Sequence, residues 1–421
     1  MSADRDRRAT RRKLLQWVAL LASGSCAPAV LAPLSSTPSR QHAARALPAQ
    51  ALPQRTVTCE GFSADAIVAC LGAASPGTEV YLPAGTYTID QSVLLPTDEL
   101  TLRGDGRATV LQATNNSFNL LRLAERRGIR LRDFAILGAG ADGPGGIGIH
   151  AFKAQACQFE NLWVERCGSS DAAGIYLDSS QQNRITNCHL ESNGRGIFLY
   201  NGSSQNTIDG CSGHANAKEM IFLSGGCADC VISNCVSDSD GSRAPAVSIA
   251  IHRSDRSQLV GCTVRRSGRE QGVEIAAGND NLVTGCTIAE SNWAGLHIVN
   301  AQRVLVADNT ITGNKQSGIT LRSDGDPSEV RPSDHCVIRG NLIADNNADG
   351  AAGQGTSRAG IEIERGSYTV VEGNQIRDNR GAAIYIGAGN VGTEIRGNEI
   401  TGSHIARLVN HGASTVADIQ A

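Results

Sequence analysis

GIYLDSSQQNRITNCHLESNGRGIFLY, residues 174–200, holds one complete unit of a repeat and the start of the next. It opens on GIYL, in which Ile175 and Leu177 alternate with Tyr176. A second alternating motif, ITNCHL, follows at 185–190, and GIFL restarts the pattern at Gly196. Alternation of period two marks strands with one buried face, and the Gly, Asn and Ser between the runs are turn formers. The first motif returns as GVEI at 272, GLHI at 295, GITL at 318 and GIEI at 360, with looser copies MIFL at 220, AVSI at 246 and AIYI at 383. The second returns as IDGCSG, ISNCVS, VGCTV, VTGCTI, VADNTI, VEGNQI and IRGNEI. Units of about 22–26 residues built this way predict a solenoid of parallel strands. Helical heptads are absent, and the spacing of leucine-rich repeats does not fit.

Aligning the second motif gives one interior column: Phe134, Leu162, Cys188, Cys211, Cys235, Cys262, Cys286, Asn309, Asn341, Asn374 and Asn398. Stacked coils lie about 4.8 Å apart. Asparagines in such a column can chain side-chain hydrogen bonds from coil to coil, and cysteines fill the same small volume. The suggestive SGGCADCVISNC at 224–235 therefore reads mainly as structure. Cys235 belongs to this column, Cys230 shares a column with Asn183 and Asn206, and Cys227 has no assigned place. No metal site and no cofactor are expected.

From about residue 56 to 410 the chain resembles a right-handed parallel β-helix of the pectate-lyase-like group. DAIVACLGAASPGTEVYLPAGTYTI at 65–89 is similar to that group's opening, in which a short amphipathic helix (Asp65, Ile67, Val68, Leu71) caps the open end of the core; LTLRGDG at 100–106 extends the likeness. The resemblance implies an all-β solenoid with an N-terminal capping helix. It implies no particular activity, because the fold hosts lyases, hydrolases, epimerases and non-catalytic proteins. The Asp–Asp and GHG pattern of polygalacturonase-like hydrolases is absent, and no lysine stands on the candidate face. No catalytic role is carried over. Cys59 and Cys70 bracket the helix, and both a disulfide and free thiols stay open.

At the N-terminus, TRRKLLQ at 10–16 precedes the apolar run LLQWVALLA and the small residues SGSCAPAVLA. This resembles a twin-arginine export signal, with a periplasmic or extracellular destination implied. The expected organisation is signal and linker at 1–46, β-helix at 56–410 and a tail at 411–421. Without residues 1–46 the chain loses eight positive and two negative charges, and its formal charge moves from −3 to −9. An acidic chain has no general electrostatic reason to bind nucleic acid or anionic lipid. No stable membrane insertion is expected.

In each G-I-x-I strand the residue between the apolar pair points outward. The first outward column reads Arg122, His150, Tyr176, Phe198, Phe222, Ser248, Glu274, His297, Thr320, Glu362 and Tyr385. The second, two residues on, contains Phe152, Asp178, Tyr200, Ala250, Arg322 and Glu364. Phe152, Tyr176, Asp178, Phe198, Tyr200 and Phe222 are the candidate substrate-binding residues, a platform on which sugar rings could stack; cover by a loop or partner is the other explanation. Glu274, His297, Arg322, Glu362 and Glu364 are the candidate catalytic residues. Glu362 and Glu364 stand i, i+2 with Cα atoms roughly 6.5–7 Å apart, near the spacing of an inverting acid–base pair. Glu274 and His297 fall in adjacent coils and are expected to touch, raising the histidine pKa. Arg322 could hold a uronate carboxylate. Charge ladders that merely solubilise the face would look the same. Two insertions, 324–335 and 346–358, flank this region as expected groove walls. An exported enzyme that cleaves a polysaccharide follows, hydrolysis slightly ahead of elimination. The alternative is a non-catalytic β-helix that binds glycan or a protein partner.

Overall fold

Three short strands per coil, separated by tight corners, generate the architecture. The computed structural model describes residues 55–140, 146–168, 172–239, 247–268, 270–324, 332–347, 358–402, 405–416 and 419–420. The expected export segment lies outside these residues, as do most of the two expected groove walls.

One sheet of 13 parallel strands runs from Val93–Leu94 to Ala406–Asn410; it is called the face sheet below. The other strands form two further walls, so that Arg184–Thr186 pairs with Thr207–Asp209 and His189–Glu191 with Ser212–His214, all in parallel. Among the described residues the chain is thus an all-β parallel solenoid with one short helix. Strands continue through Ala413–Val416 and Ile419–Gln420. Inward residues such as Ile175, Leu177, Ile197 and Leu199 are fully buried, each contributing about 1.5–3 kcal/mol.

The second sequence motif marks the corner between the two walls. Its middle residue has left-handed backbone: φ is 52° at Asn187, 63° at Gly210, 64° at Gly285 and 57° at Asp308. Only Gly, Asn and Asp adopt that region at little cost, which explains their recurrence there. The next residue turns inward and forms the ladder. Asn309 Nδ2 donates to Asn341 Oδ1 at 2.9 Å, and Asn341 and Asn374 repeat the bond to the coils beyond. Losing one such amide would strand buried donors at about 1–3 kcal/mol each. Where a glycine opens a face strand, its origin is steric. A Cβ on Gly318 would lie 2.8 Å from both Asn346 Nδ2 and the Gly360 carbonyl oxygen.

Cys227 finds its place in a different ladder. Ser180 Oγ donates to the Asp178 carbonyl, Ser203 Oγ to Tyr200 and Cys227 Sγ to Ser224 at 3.1 Å. It is a serine position occupied by a thiol. Cys230 is confirmed beside Asn183 and Asn206, since its neighbour in the next coil, Ser257, caps its backbone N–H.

The helix α1 (Ala64–Gly72) starts at Ser63, whose hydroxyl accepts from the Ala66 N–H at 3.2 Å. Its buried stripe is Ala64, Ile67 and Leu71. Val68, expected on that stripe, is exposed, because i+3 and i+7 from Ala64 define a narrower face.

Candidate functional site

The face sheet brings the candidate residues into columns. Register pairs place Glu274 beside His297, His297 beside Thr320, Thr320 beside Glu362, and Arg322 beside Glu364. One coil departs from expectation. The strand Ile249–His252 pairs as Ala250 with Phe222 and with Glu274, so Ala250, not Ser248, sits in the first column. His252 takes the second column, and Ser248 is buried. Val247, Ile249 and Ile251 all alternate, so a slip of two residues keeps every side chain on its proper face. The turn carried the missing signal: HRSDRS at 252–257 repeats the spacing of DSSQQN at 178–183.

The C-terminal half of the face holds a connected charged strip. Glu362 is 2% exposed at its side chain; Oε2 accepts from Ser317 Oγ at 2.6 Å, and Oε1 accepts from Arg322 Nε at 3.2 Å and from Arg322 Nη2. Glu364 is more exposed and lies 3.5 Å from Arg322 Nε. Burial alone would lower the Arg322 pKa, but Glu362 and then Glu364 raise it above its ordinary value. The Glu362 carboxylate is therefore occupied as the anchor of Arg322, an arrangement poorly suited to exchanging a proton with a substrate.

Glu274 and His297 are register neighbours, but the close side-chain contact of Glu274 is with His252, whose Nε2 lies 3.0 Å from Glu274 Oε1. Burial works against ionising Glu274; the charge and contact of His252, with His297 behind, outweigh it and hold its pKa below the ordinary 4.5. The histidine shift runs opposite to expectation. Burial is the largest influence on His297 and keeps it below its ordinary 6.5, with Arg322 adding and Glu274 opposing. Its Nδ1 meets Thr320 Oγ1 at 2.5 Å. Trp293, missed in the sequence because it precedes the strand motif, stands edge-on to His297 with centroids 5.0 Å apart and lies 5.6 Å from the Arg322 guanidinium.

The N-terminal half is organised differently. His150, Tyr176, Phe198 and Phe222 form a continuous stack with centroids 4.9–5.2 Å apart and planes within 7–10°. Their faces are spent on one another, so they turn edges outward, whereas a sugar ring stacks on a face. Arg195, paired to Glu219 at 2.7 Å, lies over Phe198 and Phe222, and Phe222 packs with Val247 and Ala250. Phe152, Asp178 and Tyr200 flank the stack in the second column: Lys153 Nζ covers Phe152, Tyr200 tilts 38° from Phe198, and Asp178 accepts from Ser179 and Asn201. All six residues expected to bind substrate thus lie together, while Tyr200 and Phe152 are the rings outside the stack. Among the described residues no group of three or more His, Cys, Asp or Glu is arranged to hold a metal ion, and no helix is long and apolar enough to cross a membrane.

Strands stacked in parallel register around an apolar core with Asn and Cys corners define a β-helix protein. The family described as the right handed beta helix region matches residues 112–237 and 236–400, and the chain belongs to it. Similar solved structures include the A-module of the mannuronan C-5 epimerase AlgE4 of Azotobacter vinelandii, at TM-score 0.59 and 18% identity over 84% of this chain and 94% of that one. The catalytic domain of a GH87 alpha-1,3-glucanase in complex with tetrasaccharides is similar at TM-score 0.65 and 15% identity, over 93% and 70%. The Dettilon tailspike protein is similar at 0.53 and 13%, over 84% and 64%. Identities this low establish the fold alone. A search of the curated proteins finds no match in sequence.

Proposed function

We propose that this protein acts on an acidic polysaccharide laid across the face sheet, with proton transfer at the Glu274–His252–His297 cluster. The observation that carries this is the placement of His297: a buried imidazole kept neutral, with Trp293 at its edge and Arg322 in the adjacent coil, about 4.8 Å along the axis. A neutral imidazole is a competent base near neutral pH. Arg322 Nη1 is not used in the bonds to Glu362 and is the donor available for a uronate carboxylate. That pairing suits removal of the proton on the carbon next to the carboxylate, with departure of the glycosidic oxygen.

Two-carboxylate hydrolysis is less well supported. Glu362 is committed to Arg322 and Ser317, and Glu274 is three coils from it, about 14 Å, beyond the roughly 6.5–9.5 Å of an inverting pair. Likeness to a mannuronan epimerase and to a glucanase supports a polysaccharide as the ligand class.

Purified protein is incubated with neutral and acidic polysaccharides while reducing ends and the absorbance of unsaturated uronates are followed. Unsaturated products from an acidic polymer are expected, falling about 10²–10⁴-fold in His297→Gln. Reducing ends without unsaturation would establish hydrolysis instead. No turnover, with retention in affinity gels that is lost in a Tyr176/Phe198/Tyr200 triple alanine variant, would make the protein a glycan-binding module.

A further inference from the structure

The N-terminal end of the solenoid carries two cysteines that the interior ladders do not use. Cys59 directly follows the edge strand Arg55–Thr58, and Cys70 lies in α1. Cys59 Sγ sits 4.0 Å from the Ala66 carbonyl oxygen, and Cys70 is four residues beyond Ala66, one turn along the same helix stripe. Cys70 packs against the apolar cluster that contains Cys59. Of the twelve described cysteines, Cys70 alone is not buried.

We propose that Cys59 and Cys70 form a redox site that closes into a disulfide and staples the capping helix to the edge strand. A small-molecule disulfide such as oxidised glutathione serves as the oxidant. The Cys70 thiolate attacks one of its sulfurs, forming a mixed disulfide and releasing one glutathione thiolate. The Cys59 thiolate then attacks Cys70 Sγ, closes the protein disulfide and releases the second. Two protein thiols are oxidised, one glutathione disulfide is reduced, and the two protons pass to the released thiolates. The order follows from access: Cys59 is buried and Cys70 is not, so Cys70 is the first nucleophile.

The ladder thiols are excluded from this chemistry by the fold. Cys188, Cys211, Cys235, Cys262 and Cys286 are at most 1% exposed, where no carrier can reach them. The consequence of closure is local. In a solenoid each coil is held by its neighbours, so the end opens first. A bond between Cys59 and Cys70 ties Ile67 and Leu71 over the terminal core.

The test uses the purified full chain, equilibrated natively with glutathione redox buffer, then alkylated under denaturing conditions and mapped by mass spectrometry. The expected result is a Cys59–Cys70 cross-linked peptide and loss of two alkylatable thiols. Hydrogen exchange of amides 67–71 slows by about tenfold, reverts with reductant, and does not slow in Cys59→Ser or Cys70→Ser. Cys59→Ser should trap the glutathione adduct on Cys70. Both thiols remaining alkylatable, or an adduct on wild-type Cys70 that never resolves, would overturn the proposal.

Discussion

The two halves of the face sheet use the same backbone for opposite purposes. From His150 to Phe222 the outward residues stack on one another at 4.9–5.2 Å, and the column satisfies itself. From Glu274 to Glu364 the outward residues include Glu274, Arg322, Glu362 and Glu364, whose carboxylates and guanidinium meet specific partners in neighbouring coils. Residues of like kind in register, ring on ring here and amide on amide at the asparagine corners, make a self-sufficient ladder. Unlike residues in register make a site, because the last members of the network keep unused donors and acceptors. Under the proposed function, the difference puts chemistry in the C-terminal half and gives the aromatic column a supporting role.

The sharpest way to break that division is to remove Glu362. Glu362→Leu leaves Arg322, one quarter exposed at its side chain, without its buried partner, and should cost about 3–5 kcal/mol in urea denaturation. The Arg322→Met/Glu362→Leu double variant should recover most of this, as apolar replacement of a buried pair does. A single variant as stable as wild type would mean that the charged strip is not held together by this pair.

The aromatic half gives the next largest effect. Phe198 contacts Tyr176, Tyr200 and Phe222, so Phe198→Ala should destabilise by about 2–4 kcal/mol. The Michaelis constant for polymer should stay within about twofold, since its faces are not offered to a ligand. Intact stability with a greatly raised Michaelis constant would turn the column back into a binding platform.

How much of this was legible in the sequence follows the same division. The ladders were readable because a residue repeated in register carries its own partner: Cys235 beside Cys262, Asn341 beside Asn374. Strand parity was readable at every coil, since burial fixes which side chains turn inward. The partners within the charged strip were not. Glu274 chose His252 over His297 because the strand Ile249–His252 is offset by two residues from the repeat alignment, a shift that leaves the apolar alternation unchanged. The fate of Glu362 depended on a guanidinium two residues along the neighbouring strand and on Ser317 at a corner, and no repeat encodes such diagonal contacts. Trp293 lies outside the strand motif altogether.

The smallest expected effect separates the halves by pH. Each half holds one histidine whose pKa burial lowers: His150, half-buried, with Arg122 adding and Asp178 opposing, and His297, 6% exposed. The groups acting on His297 from the surrounding coils are Glu274, Arg322, Asp324 and His252. A histidine kept neutral in the fold takes up a proton more readily once the chain unfolds, so the unfolded state binds more protons and stability rises with pH. The contribution is complete above the ordinary value of 6.5 and is lost as pH falls from there towards the lowered folded value. His297→Gln should therefore flatten the dependence of unfolding free energy on pH below 6.5, and His150→Gln should flatten it less, because its ring is the less buried. Glu274 acts further down: its lowered pKa adds a separate loss of stability that begins below 4.5, which Glu274→Gln should remove. Denaturation midpoints measured at closely spaced pH values for the three variants check the order. A larger effect from His150 than from His297 would show that the aromatic column, not the charged strip, carries the more perturbed histidine.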